Sequence, residues 1–161
     1  MSACCAPDTP TAVILLDAYA LIALLAGEPA ANEVGELIAG GGTVLAAPNL
    51  AETADRLGRV HGIAVQRTRA AVESLEQSTD LRVQATERAH GWRAAELRVK
   101  HYHRTRRPLS LGDCLLLAMA TEEDHVATAD PHVLATAGEE QIKWIALQNS
   151  QGLRYTPGQK I

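Results

Sequence analysis

Five short apolar runs, separated by stretches of helical length, limit this chain to one class of architecture. The runs fall at residues 12–16 (AVILL), 43–47 (TVLAA), 81–83 (LRV), 125–129 (HVATA) and 142–147 (IKWIAL). The first is a continuous apolar run rich in branched residues, of the length that suits a strand buried on both faces, and the others read as further short strands. Helical patterns lie between them. Residues 18–27 close at Gly27, and a second short helix after Pro29 places Val34, Leu37 and Ile38 on one face. Asn49 can cap a helix with Glu52 three positions on and Leu50, Ala54, Leu57 and His61 sharing a face. Further stripes run through Val65, Thr68, Val72 and Leu75, and through Ala89, Trp92, Ala95, Val99 and Tyr102. Strands alternating with helices predict an α/β fold: a three-layer α/β/α domain with a mainly parallel sheet of four or five strands.

The 161 residues fit one domain with a real core. It is expected over residues 12–147, with residues 1–11 and 148–161 as flexible or peripheral termini. Apolar residues make up 47% of the chain, aromatic residues only 3%, and Phe is absent, so the core must be aliphatic. The scarcity of aromatics also disfavours a stacking platform for single-stranded nucleic acid. Net charge is −4, so contact with a polyanion requires a local basic patch or a metal. Cys4, Cys5 and Cys114 form neither a disulfide framework nor a zinc spacing, which points to a reducing cytoplasm. Residues 1–11 lack a signal-peptide pattern, and no apolar run could span a membrane.

The least ambiguous passage is LSLGDCLLLAMA, residues 109–120. Ser110 followed by Asp113 reads as a helix N-terminus. Every residue from Leu115 to Ala120 is apolar, so this helix is expected to be central, with no solvated face. Cys114 within it reads as a packing thiol rather than a nucleophile, since no histidine is placed to activate it.

Asp113 shares its grammatical position with three other acids. Asp17 follows the first strand, Glu52 opens the helix after the second, and Asp130 follows a later strand with Pro131 behind it. In an open parallel sheet such positions lie at the carboxyl ends of strands, where ligands bind. Each acid taken singly is an ordinary helix cap. Together they would repel one another unless protonated or joined by a cation. Oxygen ligands alone suit magnesium or manganese. The chemistry implied is phosphodiester hydrolysis by a metal-activated water.

With these residues in place the chain resembles a known family. The ordered segments LLDAYALIALLAGEP, NLAE, LSLGDCLLLAMA and VATAD resemble the four acidic motifs of PIN-domain ribonucleases, specifically VapC-type toxins of type II toxin–antitoxin pairs. The resemblance covers roughly residues 12–147. It implies a PIN fold, a Mg2+- or Mn2+-dependent endoribonuclease cutting tRNA or rRNA, a cognate VapB-type antitoxin and a homodimer. By position, Asp17, Glu52, Asp113 and Asp130 become the metal-binding, catalytic acids. Thr128 matches a residue whose hydroxyl lies near the metal. Ser110 matches the serine before the third acid, as a cap or as a contact. The family often carries Ser or Thr two positions after the first acid, where this chain has Tyr19.

Between Arg98 and Arg107 lies the densest run of positive charge. It reads either as phosphate-contacting, with Arg104, Arg106 and Arg107 the candidates, or as a solvated helix end. His101 and His103 have the wrong spacing for one helical face, which disfavours zinc. The apolar side chains of residues 21–38 exceed what one sheet face needs; core packing, a dimer face or an antitoxin groove would each use them. Two rival functions stand beside the nuclease. One is a catalytically silent PIN-like module that binds RNA or protein, which the full set of four acids disfavours. The other is a haloacid-dehalogenase-like phosphatase, which wants an Asp where Tyr19 stands.

Overall fold

The computed structural model of the protein describes residues 12–157; the lead-in at 1–11, with Cys4 and Cys5, and residues 158–161 lie outside them. In chain order the elements are β1 (Ile14–Leu16), α1 (Ala18–Ala26), α2 (Ala31–Ala39), β2 (Thr43–Ala46), α3 (Ala47–His61), α4 (Val65–Ser78) and β3 (Arg82–Gln84). There follow α5 (Arg88–His101), α6 (Leu111–Met119), β4 (His125–Thr128), α7 (Pro131–Glu139) and β5 (Lys143–Ala146).

The strands form one five-stranded sheet in the order β3-β2-β1-β4-β5, and every pairing is parallel. Leu15 of β1 stands in register with Val44 on one side and Val126 on the other. The chain builds outward from β1 in one direction, then returns to build outward in the other. The gap between the carboxyl ends of β1 and β4 is therefore the point where strand order reverses.

Successive side chains on a strand point to opposite faces, and this sorts the core into two layers. Leu15, Val44 and Val126 pack with α5, α6 and α7. Leu16, Leu45 and Ala127 pack with α1, α2 and α4. Helix α3 meets α1 through Leu57 against Ala18 and Ile22. Each fully buried leucine contributes roughly 1.5–3 kcal/mol. In α6, Leu116, Leu117, Ala118 and Met119 are all buried, as expected of a central helix. Most of the apolar surplus on α1 and α2 is core as well: Leu21, Ile22, Val34 and Ile38 are at most 2% exposed.

Two local expectations are corrected. In α5 the buried stripe is Ala94, Leu97 and His101, whereas Trp92 is 71% and Val99 88% exposed. Both stripes have helical spacing, and the flanking arginines decide between them. Arg93 donates to the carbonyls of Ala118 and Ala120, and Arg98 to that of Leu109, which turns the Ala94 side towards α6. The second correction concerns α3. It begins at Ala47, not at an Asn49 cap, with Pro48 in the first turn, where its missing N–H is not needed. Asn49 is thereby carried inside the helix and fully buried.

Beyond β5 the chain folds back. Gln148 and Arg154 form an antiparallel bridge, Arg154 pairs with Glu33 at 2.8 Å, and Tyr155 meets Trp144 edge-on. Among the described residues no helix is long and apolar enough to cross a membrane.

Candidate functional site

Helix starts at the sheet's carboxyl edge place the acids. Asp17 caps α1, its Oδ1 accepting from the Ala18 amide at 2.6 Å. Asp130 caps α7, accepting from the amides of His132 at 2.7 Å and Val133 at 3.4 Å, with Pro131 at the first position. Ser110 and Asp113 form a reciprocal capping box on α6. The Asp113 amide donates to Ser110 Oγ at 3.0 Å, and the Ser110 amide to Asp113 Oδ2 at 2.6 Å. Glu52 differs: α3 starts earlier than its sequence suggests, so Glu52 sits in the second turn and reaches the site from the side.

Asp17, Glu52, Asp113 and Asp130 all line one cavity of about 440 Å³. Asp17 is its most buried acid, at 6% exposure. Thr128 donates its hydroxyl to Asp17 Oδ2 at 2.7 Å and accepts from the Asp130 amide at 3.0 Å, so it ties the first acid to the fourth. Asn49 Nδ2 donates to Asp17 Oδ1 at 3.3 Å.

Crowding shows in the proton affinities. Burial, then the charge of Asp113, pushes the Asp17 carboxyl from 3.8 up to about 7, against the hydrogen bonds from Thr128 and Ala18. Burial and Asp113 also raise Glu52, while Arg56 draws it back. Asp113 is raised chiefly by burial, which the Ser110 hydrogen bonds oppose. These are the shifts expected of buried acids sharing one space with no countercharge at its centre. Helix N-termini offset little of this, typically ~1 kcal/mol or less each.

The donor set fits a hard divalent cation, being carboxylate oxygen throughout. Two buried polar atoms beside it, Asn49 Oδ1 and the Tyr19 hydroxyl, have no hydrogen-bond partner among the described residues. As placed, however, no three acidic, histidine or cysteine side chains among those residues are grouped closely enough to hold an ion. Three of the carboxylates are turned partly into their own helix caps.

Several residues of the site were not anticipated. Asn49 was read only as a cap; its burial inside α3 carries it to Asp17. Gly112 matters for what it lacks, because a Cβ there would stand 3.3 Å from Glu52 Oε2. A glycine between the cap serine and its acid is the signal that could have marked it. Arg56 and His61 of α3 line the cavity, as do Asn149 and Ser150 beyond β5. Tyr19 also lines it, its phenol pushed up by burial and by Glu28. Ser110 is not among the lining residues.

Nor does the lining include Arg104, Arg106 or Arg107. Arg107 grips Glu139 with two hydrogen bonds, at 2.9 and 2.6 Å, and lies 3.1 Å from His101 Nδ1. Its guanidinium ties the loop after α5 to the end of α7. Arg104 and Arg106 are exposed. The Cys114 thiol is fully buried and raised by burial and by Asp113, the opposite of what a nucleophile needs.

The molecule is thus a parallel α/β domain whose four acids line one cavity. The chain belongs to the PIN domain family, whose model matches residues 14–139. Solved structures agree on the fold. The VapC20 toxin of Mycobacterium tuberculosis, described as cleaving the sarcin–ricin loop, superposes with a TM-score of 0.60 at 23% identity, over 76% of this chain and 93% of that one. A DNA-bound VapBC complex from Salmonella typhimurium gives 0.60 at 14% identity, over 84% and 98%. A FitAcB structure from Neisseria gonorrhoeae gives 0.58 at 19%, over 88% and 100%. No curated protein sequence matches the chain at a significant level.

Proposed function

We propose that the protein is a divalent-metal-dependent endoribonuclease acting as the toxin of a VapBC-type toxin–antitoxin pair. One observation carries the reading: four carboxylates borne on four separate helices or their caps line a single cavity in a PIN domain. The fold's likeness to VapC and VapBC structures supports the toxin assignment, with a VapB-type antitoxin as the natural partner and a homodimer as the assembly.

Asp17, Glu52, Asp113 and Asp130 would hold Mg2+ or Mn2+. When bound, the metal supplies Lewis acidity towards water and charge that stabilises the pentavalent phosphorus transition state. The chain's own residues do the remaining work. Thr128 and Asn49 fix the aim of Asp17 through its two oxygens. Ser110 fixes Asp113 through the capping box. Glu52 is partly exposed, with its proton affinity raised, and suits the role of accepting a proton from the attacking water.

The test is direct. Purified protein is incubated with structured tRNA and rRNA fragments in magnesium, in manganese and in chelator, beside Asp113→Asn. Cleavage confined to the metal-loaded wild type is expected. Cleavage in chelator, or full activity in the variant, would overturn the mechanism. Equal harmlessness of both forms when expressed in a bacterial host would overturn the toxin assignment.

A further inference from the structure

We infer that Arg56 is the phosphate-positioning residue of this site, the group that holds the RNA backbone beside the four acids. The inference rests on the ribonuclease reading above and adds to it the residue that receives the substrate. Its basis is a contrast among the arginines. Arg59 is locked to Asp55 at 2.7 Å. Arg93 and Arg98 are spent on main-chain carbonyls. Arg107 is held by Glu139 and Arg154 by Glu33. Arg56 alone among the described arginines lines the acidic cavity. It makes no hydrogen bond among the described residues, standing 4.0 Å from Glu52 with its side chain 48% exposed.

Position explains the availability. Arg56 follows Glu52 by one helical turn, so both side chains leave α3 on the same side. A planar guanidinium with unused donors is matched to two phosphate oxygens at once. The site needs such a group, because four acids repel the polyanion they are to cut. Arg56 shares the cavity lining with Glu52, His61 and Tyr19. No residue of the basic loop at 103–107 lines this cavity.

The competing role for Arg56 is to tune Glu52, whose proton affinity it lowers. Two measurements separate the roles. The first is binding of a labelled unstructured RNA oligonucleotide to the full chain in chelator, titrated with salt. Arg56→Ala should weaken binding roughly tenfold and flatten the slope of log K against log salt by about 0.7, the value for one phosphate on a single strand. Arg56→Lys should recover most of the slope, and Arg59→Ala should change neither. The second is cleavage in manganese, where Arg56→Ala should raise KM about tenfold with a smaller change in kcat. An Arg56→Ala protein with wild-type binding and salt slope, or one that loses only kcat and shifts its pH profile, overturns the assignment while the nuclease reading stands. A wild-type protein that neither binds nor cleaves RNA overturns both.

Discussion

Thr128 donates its hydroxyl hydrogen to Asp17 across 2.7 Å, from the end of the strand next to the one that Asp17 follows. The bond joins two positions 111 residues apart. The same oxygen accepts from the Asp130 amide, so one side chain sets the spacing of two acids. Thr128→Val keeps the shape and removes both bonds. It should cost about 1–3 kcal/mol in urea unfolding, because a buried acceptor and a part-buried amide lose their partners. It should also raise the Asp17 carboxyl further, moving the acidic limb of a cleavage pH profile upward. Thr128→Ser should restore both properties, and a silent Thr128→Val would remove this hydroxyl from the site.

Asp17 makes stability depend on pH in an unusual direction. Its carboxyl goes from 3.8 to about 7 on folding, so the folded chain keeps a proton that the unfolded chain releases. The stability it contributes is complete below 3.8 and is lost as pH rises through about 7. In chelator, Asp17→Asn should therefore gain on the wild type as pH is raised across that window, by on the order of a few kcal/mol. Urea unfolding of the pair at pH values on either side of the window measures this. A difference that stays flat with pH would show that Asp17 does not take up a proton on folding.

A divalent cation should reverse that loss. Magnesium or manganese competes with the proton for the same oxygens, so either should raise Tm more above the Asp17 transition than below it. At a hundredfold excess over its dissociation constant the cation adds about 2.7 kcal/mol. Asp113→Asn should lose most of the gain. An equal rise in Tm for both proteins would place the cation elsewhere.

At Gly112, helix stability and site geometry are set against each other. Alanine there gains up to about 1 kcal/mol of helix propensity. Its Cβ would press on Glu52 Oε2 at 3.3 Å, and the half-exposed glutamate can yield. Gly112→Ala should therefore keep or raise Tm while lowering kcat, because Glu52 is displaced. A fall in Tm with unchanged kcat would mean that Glu52 does not give way.

The two faces of α5 are separable by truncation. Leu97→Ala opens a cavity against α6 and should cost about 2–5 kcal/mol. Trp92→Ala removes a side chain that is 71% exposed and should stay within about 0.5 kcal/mol in the monomer. Denaturant midpoints decide, and a large cost at Trp92 would return the helix to the orientation its apolar stripe first suggested.

Much of this protein is legible in its sequence because the information is local. Short, largely apolar runs such as AVILL read as strands, and their alternation with helices leaves few arrangements other than a parallel sheet. Ser110 with Asp113, and Asp130 with Pro131, announce their helix starts within four residues, and the structure has both. Asp17, Asp113 and Asp130 could be named because each stands at such a helix start, and Glu52 because it follows Asn49 by three residues.

What tertiary structure decided is everything that depends on which side of an element faces what. The face of α5 was settled by Arg93 and Arg98 reaching carbonyls of a helix and loop further along the chain, which no periodicity encodes. Asn49 became a partner of Asp17 only because α3 started three residues early and carried it inward. Arg107, in the most basic stretch of sequence, was drawn to Glu139, while Arg56 of α3 was left beside the acids. A residue's charge is written in the sequence, but whether that charge is already spent depends on neighbours that only folding brings within reach.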